Sequence, residues 1–502
     1  MVVVLSFVKL VALNSDKMSP LFIALIIAIY FAGLVLISYL TTRKVDSLSF
    51  FNGNRKSPWY IVAIGMIGTS ISGVTFISVP GWVMTSQFSY LQMVLGYLLG
   101  YFVIANVLLP LYYRLNLTSI YTYLQQRFGF WSYKTGASFF LLSKLLGASV
   151  RLFLVSMVLQ TLVFDPLGVP FWATVAGTIG LIYIYTFKGG IKTIIWTDLA
   201  QTVAMISGMV LALFLIKDAM SFSFSEMVST VANSKLSRVW FFDDPNSELY
   251  FWKQFLGGAF TTIVMTGLDQ DMMQKNLSCR SLKDAKKNMY TYGFMFLPIN
   301  LLFLSLGALL GIFAMTHGVA IPDKTDTLFP MLATGGYFHA SLGIVFIIGI
   351  IAAAYSSADS ALAALTTSFT LDILESNRHS AERMKRTRSI VHLCMSVAVV
   401  VVILLFKMLN NDAVVKAVFV IAGYTYGPLL GLYAFGLFTK YPVRDRIVPY
   451  IAVAAPVICY ILSANSTVWF NGYKFGFELL IINGAIVFVG LLVTSIGLTK
   501  RG

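Results

Sequence analysis

Apolar residues run along this chain in long blocks separated by short polar intervals. Windows of spanning length fall at 20–41, 59–84, 90–113, 135–163, 171–187, 193–216, 251–273, 289–316, 336–374, 389–408, 413–439, 447–464 and 475–498. About 20 predominantly apolar residues make a helix that crosses the hydrocarbon core. The pattern therefore predicts an all-α polytopic membrane protein with about 13 transmembrane helices. No polar interval is long enough for a soluble domain. The longest, 217–250, carries SFSFSEMVST and FFDDPNSEL, which allow short surface helices.

One window departs from the plain pattern. Residues 59–84 read WYIVAIGMIGTSISGVTFISVPGWVM, with Gly65, Gly68, Thr69, Ser70, Ser72 and Gly73 crowded at mid-span. Glycine weakens a helix by about 1 kcal/mol relative to alanine, and serine and threonine compete for backbone hydrogen bonds. Two readings follow. The span is a discontinuous helix whose freed carbonyls line a binding site, or its small residues let a neighbouring helix approach closely.

Composition agrees with the membrane reading: 58% of residues are hydrophobic and 11% charged, with a mean hydropathy of +0.81. A net charge of +15 would suggest a nucleic-acid partner in a soluble protein. Here the distribution carries the information. Of the 36 Lys and Arg residues, 24 fall on the side reached after the first span, 10 on the other, and Lys144 and Arg151 lie within a span. The inner group includes Arg43, Lys44, Lys188, Lys275, Arg378, Lys500 and Arg501, whereas the opposite loops are acidic at Glu226, Asp243, Asp244 and Glu248. Basic loops stay cytoplasmic, which predicts an outside N-terminus and a cytoplasmic C-terminus in a plasma membrane of bacterial type. The N-terminal MVVVLSFVKLVALNSDK lacks an early basic region and a cleavage site, so it is not read as a signal peptide. Cys279, Cys394 and Cys459 give no disulfide framework. The expected partners are the lipid bilayer and a small solute, with no nucleic acid and no obligate protein partner.

Ionisable side chains inside spans cost at least about 2.5 kcal/mol on insertion scales, so each demands a reason. Asp359 lies in IIAAAYSSADSALAALTTS, where Ala353, Ser356, Ser357 and Ser360 share one helical face. Hydroxyls, carbonyls and a carboxylate suit a hard cation; serines bonded back to their own helix are the plainer alternative. Asp198, in GGIKTIIWTDLAQ, is an interfacial carboxylate, a second cation ligand or part of the inner exit path. Arg151, in LLSKLLGASVRLFL, either pairs with a protein aspartate or offers its fork to a substrate carboxylate. Asp269 and Asp271, in GLDQDMMQKN, fit an inner gate. Gly427-Pro428 marks a kink or a second interruption.

The ordered motifs FFNGNRKSPWYIVAIGMIGTSISGVTFISVPG, LPLYYRLNLTSIYTYLQQRFG, GGIKTIIWTDLAQ, LDQDMMQKNLSCRSLKDAKK and AAAYSSADSALAALTTSFTLDIL resemble the sodium/solute symporter family over nearly the whole chain. They are more similar to its bacterial sialic-acid-type members than to the sodium/sugar cotransporters. The resemblance implies a leucine-transporter-like fold of two five-helix inverted repeats, 59–216 and 251–439, with 20–41 and 447–498 peripheral. It implies Na+ as coupling ion, held by the carbonyls of Gly68, Ile71 and Ala353 and the hydroxyls of Ser356 and Ser357. Asp198, Asp359 and Ser360, with Ser356, match a second cation site, where Asp359 carries a cation or a proton. Arg151 matches a substrate-carboxylate ligand, and Ser70, Ser72 and Thr75 match solute hydroxyl contacts. The sugar carriers' pattern fails at Gln92 and Val94, where no glutamate stands, and at Met265, where their gating tyrosine would be. Gln92, Tyr90 and Gln160 remain candidate contacts to neutral groups.

The resulting expectation is a sodium-coupled symporter importing a small organic carboxylate by alternating access. A sodium/sugar or other neutral-solute symporter is the alternative. A non-transporting sensor is a further one, weakened by the end of the chain just after the last span. With no nucleophile motif and only 4 histidines, an enzyme is not expected.

Overall fold

The computed structural model describes residues 20–42, 55–187, 190–375, 380–409, 414–496 and 498. The N-terminal stretch, Arg43, Lys44, Lys188, Arg378, Lys500 and Arg501 therefore lie outside the described residues. The principal helices are α1 (Pro20–Thr42), α2 (Trp59–Ser70), α3 (Gly73–Ser86), α4 (Tyr90–Val103), α5 (Phe130–Leu159), α6 (Phe171–Thr186), α7 (Gly190–Ala219) and α8 (Phe251–Thr262). They continue with α9 (Gln270–Leu277), α10 (Leu282–Thr316), α11 (Ala340–Ser368), α12 (Ala381–Leu409), α13 (Val414–Phe438), α14 (Val448–Ala464) and α15 (Leu479–Ser495). Each apolar window predicted above contains a helix. By length and hydropathy, 9 of the described helices suffice to cross a membrane, or 10 with the bent pair α2–α3 taken as one span. The helices α6 and α15, at 16 and 17 residues, fall short of that length, so the count of thirteen crossings does not follow from length alone.

Helix α11 is the axis of the molecule. Its apolar window is 89% buried, against 28% for the windows of α1 and α12 and 22% for that of α14. It packs along α7 and against α2, α3, α5 and α12. Alanine and serine make this possible, because a helix wrapped on all sides must be thin. The peripheral helices instead turn leucine, valine and tyrosine toward lipid, as at Leu36 and Tyr450.

Close approach recurs between α4 and α8. A methyl group at Gly96 would run into the Phe255 carbonyl and lie 2.9 Å from the Ala259 amide, and one at Gly258 would meet the Met93 carbonyl. Backbone cannot yield as a side chain can.

Pro428 interrupts the α13 ladder without opening a site. It has no N–H for the Tyr424 carbonyl one turn earlier. Asn483 of α15 supplies the missing donor, giving hydrogen bonds of 3.0 Å to both Tyr424 O and Gly423 O. The kink is thus a helix-packing device. The segment after α7 forms a short helix, Phe224–Ala232, closed by a capping box. There the Ser223 amide donates to Glu226 Oε2 (2.7 Å) and the Glu226 amide to Ser223 Oγ (3.2 Å). Hydrogen bonds from Ser223, chiefly from its backbone, hold the Glu226 carboxyl below its ordinary value.

The α4–α8 contact predicts a sharp size limit. Overpacking a tight interface costs about 1–3 kcal/mol, so Gly96→Val lowers the melting temperature of the detergent-purified protein. Gly180→Val, where nothing lies within 4 Å, leaves it nearly unchanged. Equal melting temperatures for the two variants would refute the contact.

Candidate functional site

The predicted interruption in the second span is real: α2 and α3 meet at 58°. The α2 ladder ends where Ile71 N donates to Ile67 O (2.9 Å), and the α3 ladder begins where Phe76 N donates to Ser72 O (3.1 Å). Between them Ile71 has φ −82°, ψ 82° and Ser72 φ −77°, ψ 174°, neither helical. The carbonyls of Gly68, Thr69, Ser70 and Ile71 are left without an amide one turn on. Ile71 is fully buried, so its oxygen needs a partner other than bulk water.

Helix α11 faces the interruption. A methyl group at Gly68 would strike the Thr202 hydroxyl and lie 3.2 Å from Ser356 Oγ; one at Gly73 would lie 3.6 Å from Ala354 Cβ. Gly68 is therefore small because α7 and α11 press against it, so the helix is both interrupted and closely packed at this point. Ser357 Oγ donates to the carbonyls of Ala353 (3.3 Å) and Ala354 (3.0 Å), while Ser356 Oγ donates to Asp198 Oδ1 (2.6 Å). A donating hydroxyl keeps its lone pairs, so both serines can still present oxygen to a cation.

Asp198 is fully buried within the protein. Around it the structure gathers the residues of the predicted second cation site: Ser360 Oγ lies 3.3 Å from Asp198 Oδ2 and 3.2 Å from Asp359 Oδ1. Asp359 also accepts from Tyr185 (3.0 Å) and Thr197 (3.4 Å). Lys275, counted from sequence among the inner-loop cations, is drawn into this cluster from α9. Its Nζ stands 2.7 Å from Asp198 Oδ2 and 2.7 Å from Ser360 Oγ, and it also donates to Thr69 Oγ1.

Beside the interruption lies a cavity of about 120 Å³. Ser70, Ser72 and Thr75 line it from the α2–α3 break and Arg151 from α5, together with Tyr90, Tyr97, Tyr292 and Tyr426. Gln92 does not reach it: its amide is spent on the segment between α7 and α8, accepting from Phe241 N (3.2 Å) and donating to Leu249 O (3.1 Å). Gln160 is likewise committed, to Thr174 and Asp165, at 2.5 Å each. Met265 does line the cavity.

Asp269 was expected near an inner gate but forms part of the cavity wall. It caps α9, accepting from the amides of Asp271 (2.9 Å) and Met272 (3.4 Å), and takes the Tyr426 hydroxyl at 2.6 Å. Lys144, one α5 face with Arg151, pairs with Asp271 at 2.7 Å and Asp269 at 3.3 Å. That leaves Arg151 half-buried at the cavity. Among the described residues no carboxylate lies within ion-pair distance of its guanidinium. The aspartates that might have been its structural partners belong to Lys144.

The sodium:solute symporter family model matches residues 50–442. The chain is 30% identical to the human sodium/iodide cotransporter over 239 residues, which is 47% of this chain and 36% of that protein's length. It therefore spans only about a third of that relative. It is 25% identical to the sodium/sialic acid symporter of Proteus mirabilis over 428 residues, 82% of this chain and 83% of the relative. Its fold matches a solved Na+-coupled sialic acid symporter, in a substrate-bound outward-open state, with a TM-score of 0.78 at 21% identity, over 96% of this chain and 98% of the other.

The buried pairing of Lys144 predicts a large, recoverable stability loss. Removing one partner of a buried ion pair costs about 3–5 kcal/mol, so Lys144→Met lowers the melting temperature strongly. Adding Asp271→Asn to it restores part of the loss. Purely additive losses in that double variant would contradict the pairing.

Proposed function

The chain belongs to the sodium:solute symporter family, and from that premise we propose a sodium-coupled symporter that imports a small organic carboxylate by alternating access. It is a multi-pass membrane protein. The proposed setting is a plasma membrane of bacterial type, with the N-terminus outside and the C-terminus cytoplasmic. The single observation carrying the substrate class is Arg151: a guanidinium without a carboxylate partner, at a cavity that the hydroxyls of Ser70, Ser72 and Thr75 also line. Arginine binds carboxylates in bidentate fashion, and neighbouring hydroxyls suit the rest of a polar solute. That a relative is named for an acid, sialic acid, is in keeping with this chemistry. The committed amide of Gln92 removes one contact a neutral sugar would use.

For Na+, the proposed ligands are the carbonyls of Gly68, Ile71 and Ala353 and the hydroxyls of Ser356 and Ser357. Support comes from the orphaned carbonyls at the interruption and from the closeness of Ser356, whose hydroxyl would lie 3.2 Å from a methyl group at Gly68. The ion and the solute then share the α2–α3 break, the ion on its α11 side and the solute on its cavity side. Coupling requires that Na+ favour the conformation that binds solute. Residues 59–216 and 251–439 are proposed to be the two repeats that rock about this site.

Charge-assisted hydrogen bonds contribute about 1.5–3 kcal/mol each. Arg151→Ala is therefore expected to weaken carboxylate binding by roughly ten- to a hundredfold, while Arg151→Lys recovers part of the affinity. Solute-dependent thermal stabilisation across a carboxylate and sugar panel, followed by proteoliposome uptake, reads this out. Unchanged binding of a neutral solute by Arg151→Ala, with no carboxylate bound by the native protein, would make Arg151 structural. Uptake driven by protons without sodium would refute the coupling ion.

A further inference from the structure

The cluster around Asp198 has the ligands of a monovalent cation site: a carboxylate, a second carboxylate held by Ser360, and the hydroxyls of Ser356, Ser360 and Thr69. It also has a cation. An ammonium group carries three N–H donors and accepts nothing. The three donors of Lys275 are matched by Asp198 Oδ2 at 2.7 Å, Ser360 Oγ at 2.7 Å and Thr69 Oγ1. The charge stays within 3.9 Å of Asp271 Oδ1. The lysine side chain is 1% exposed and Asp198 fully buried. No donor is left over.

We propose that the Lys275 ammonium stands in the place of a second transported cation, as a tethered ion, so that this protein carries one Na+ per cycle. The inference rests on the sodium-coupled reading above and sharpens it. The geometry treats the two cation positions expected from the sequence differently. The orphaned carbonyls of Gly68 and Ile71 face no protein cation among the described residues and remain available to Na+. The Asp198–Ser360 position is filled from within the chain. Thr69 connects the two, since it lies in the interrupted segment, lines the solute cavity and accepts from Lys275. The tethered charge thereby helps hold the end of α2 against α7 and α11 without leaving the protein at each turn.

The test is the count of Na+ bound by the purified full-length chain, measured with radiolabelled sodium in choline buffer, beside the Hill slope of sodium-dependent thermal stabilisation. The native protein is expected to bind one Na+ per chain with a slope near one. Lys275→Met vacates the position while leaving its carboxylate, so a second Na+ binds and the slope rises toward two. Lys275→Met combined with Asp198→Asn returns the count to one. Lys275→Gln gives an independent neutral variant should Lys275→Met not fold. Two sodium ions on the native protein would overturn the role of Lys275 and leave the sodium-coupled reading standing. A folded Lys275→Met protein that still binds one would overturn it as well. No sodium bound by the native protein would defeat the underlying reading instead.

Discussion

A helix that stops inside a bilayer leaves carbonyls with no amide to meet, and hydrocarbon cannot supply one. The rest of this structure is arranged around that constraint at Gly68–Ser72. Helix α11 is lined with alanine and serine so that it can approach the interruption, and α7 brings Thr202 and Asp198 to the same place. Small residues and freed oxygens are therefore one feature. The close packing that Gly68 permits is what brings Ser356 beside the orphaned carbonyls.

Charge is the second constraint. Two buried lysines, Lys144 and Lys275, meet through Asp271, at 2.7 Å and 3.9 Å. Lys144 neutralises the carboxylates nearest the cavity, which leaves Arg151 as the cavity's unpartnered cation among the described residues. Lys275 neutralises Asp198 on the other side of the break. On the proposals above, one lysine leaves the solute site its positive sign, and the other sets how many mobile cations the protein accepts. Carrying one Na+ with a singly charged carboxylate moves no net charge. Such transport draws on the sodium concentration gradient, whereas each uncompensated charge would add about 2.3 kcal/mol per 100 mV.

The helical architecture and the interruption were legible in the sequence because both follow from local composition: long apolar windows, and glycine with hydroxyls at mid-span. Arg151 and Asp359 were conspicuous because a charge within an apolar run needs a reason. Lys275 was not, for the same logic in reverse. It follows a span among other inner-side lysines, and only the fold of α9 against α7 and α11 shows that it points inward. Gln92 was misleading in another way. It occupies a position compared with a sugar ligand, yet its partners, Phe241 and Leu249, lie some 150 residues away in the segment between α7 and α8. At Pro428 the sequence left a kink and an interruption open, and Asn483 of α15 supplies the lost hydrogen bond.

The central claim is that ion and solute meet at one interrupted helix. It is tested most directly by the dissociation constant of a transported solute for the purified protein in sodium and in choline. Coupling of this kind is reciprocal and typically about 5–150-fold. Sodium is expected to tighten solute binding by such a factor, and saturating solute to tighten sodium binding by the same factor. Equal solute affinity in sodium and in choline would contradict the account.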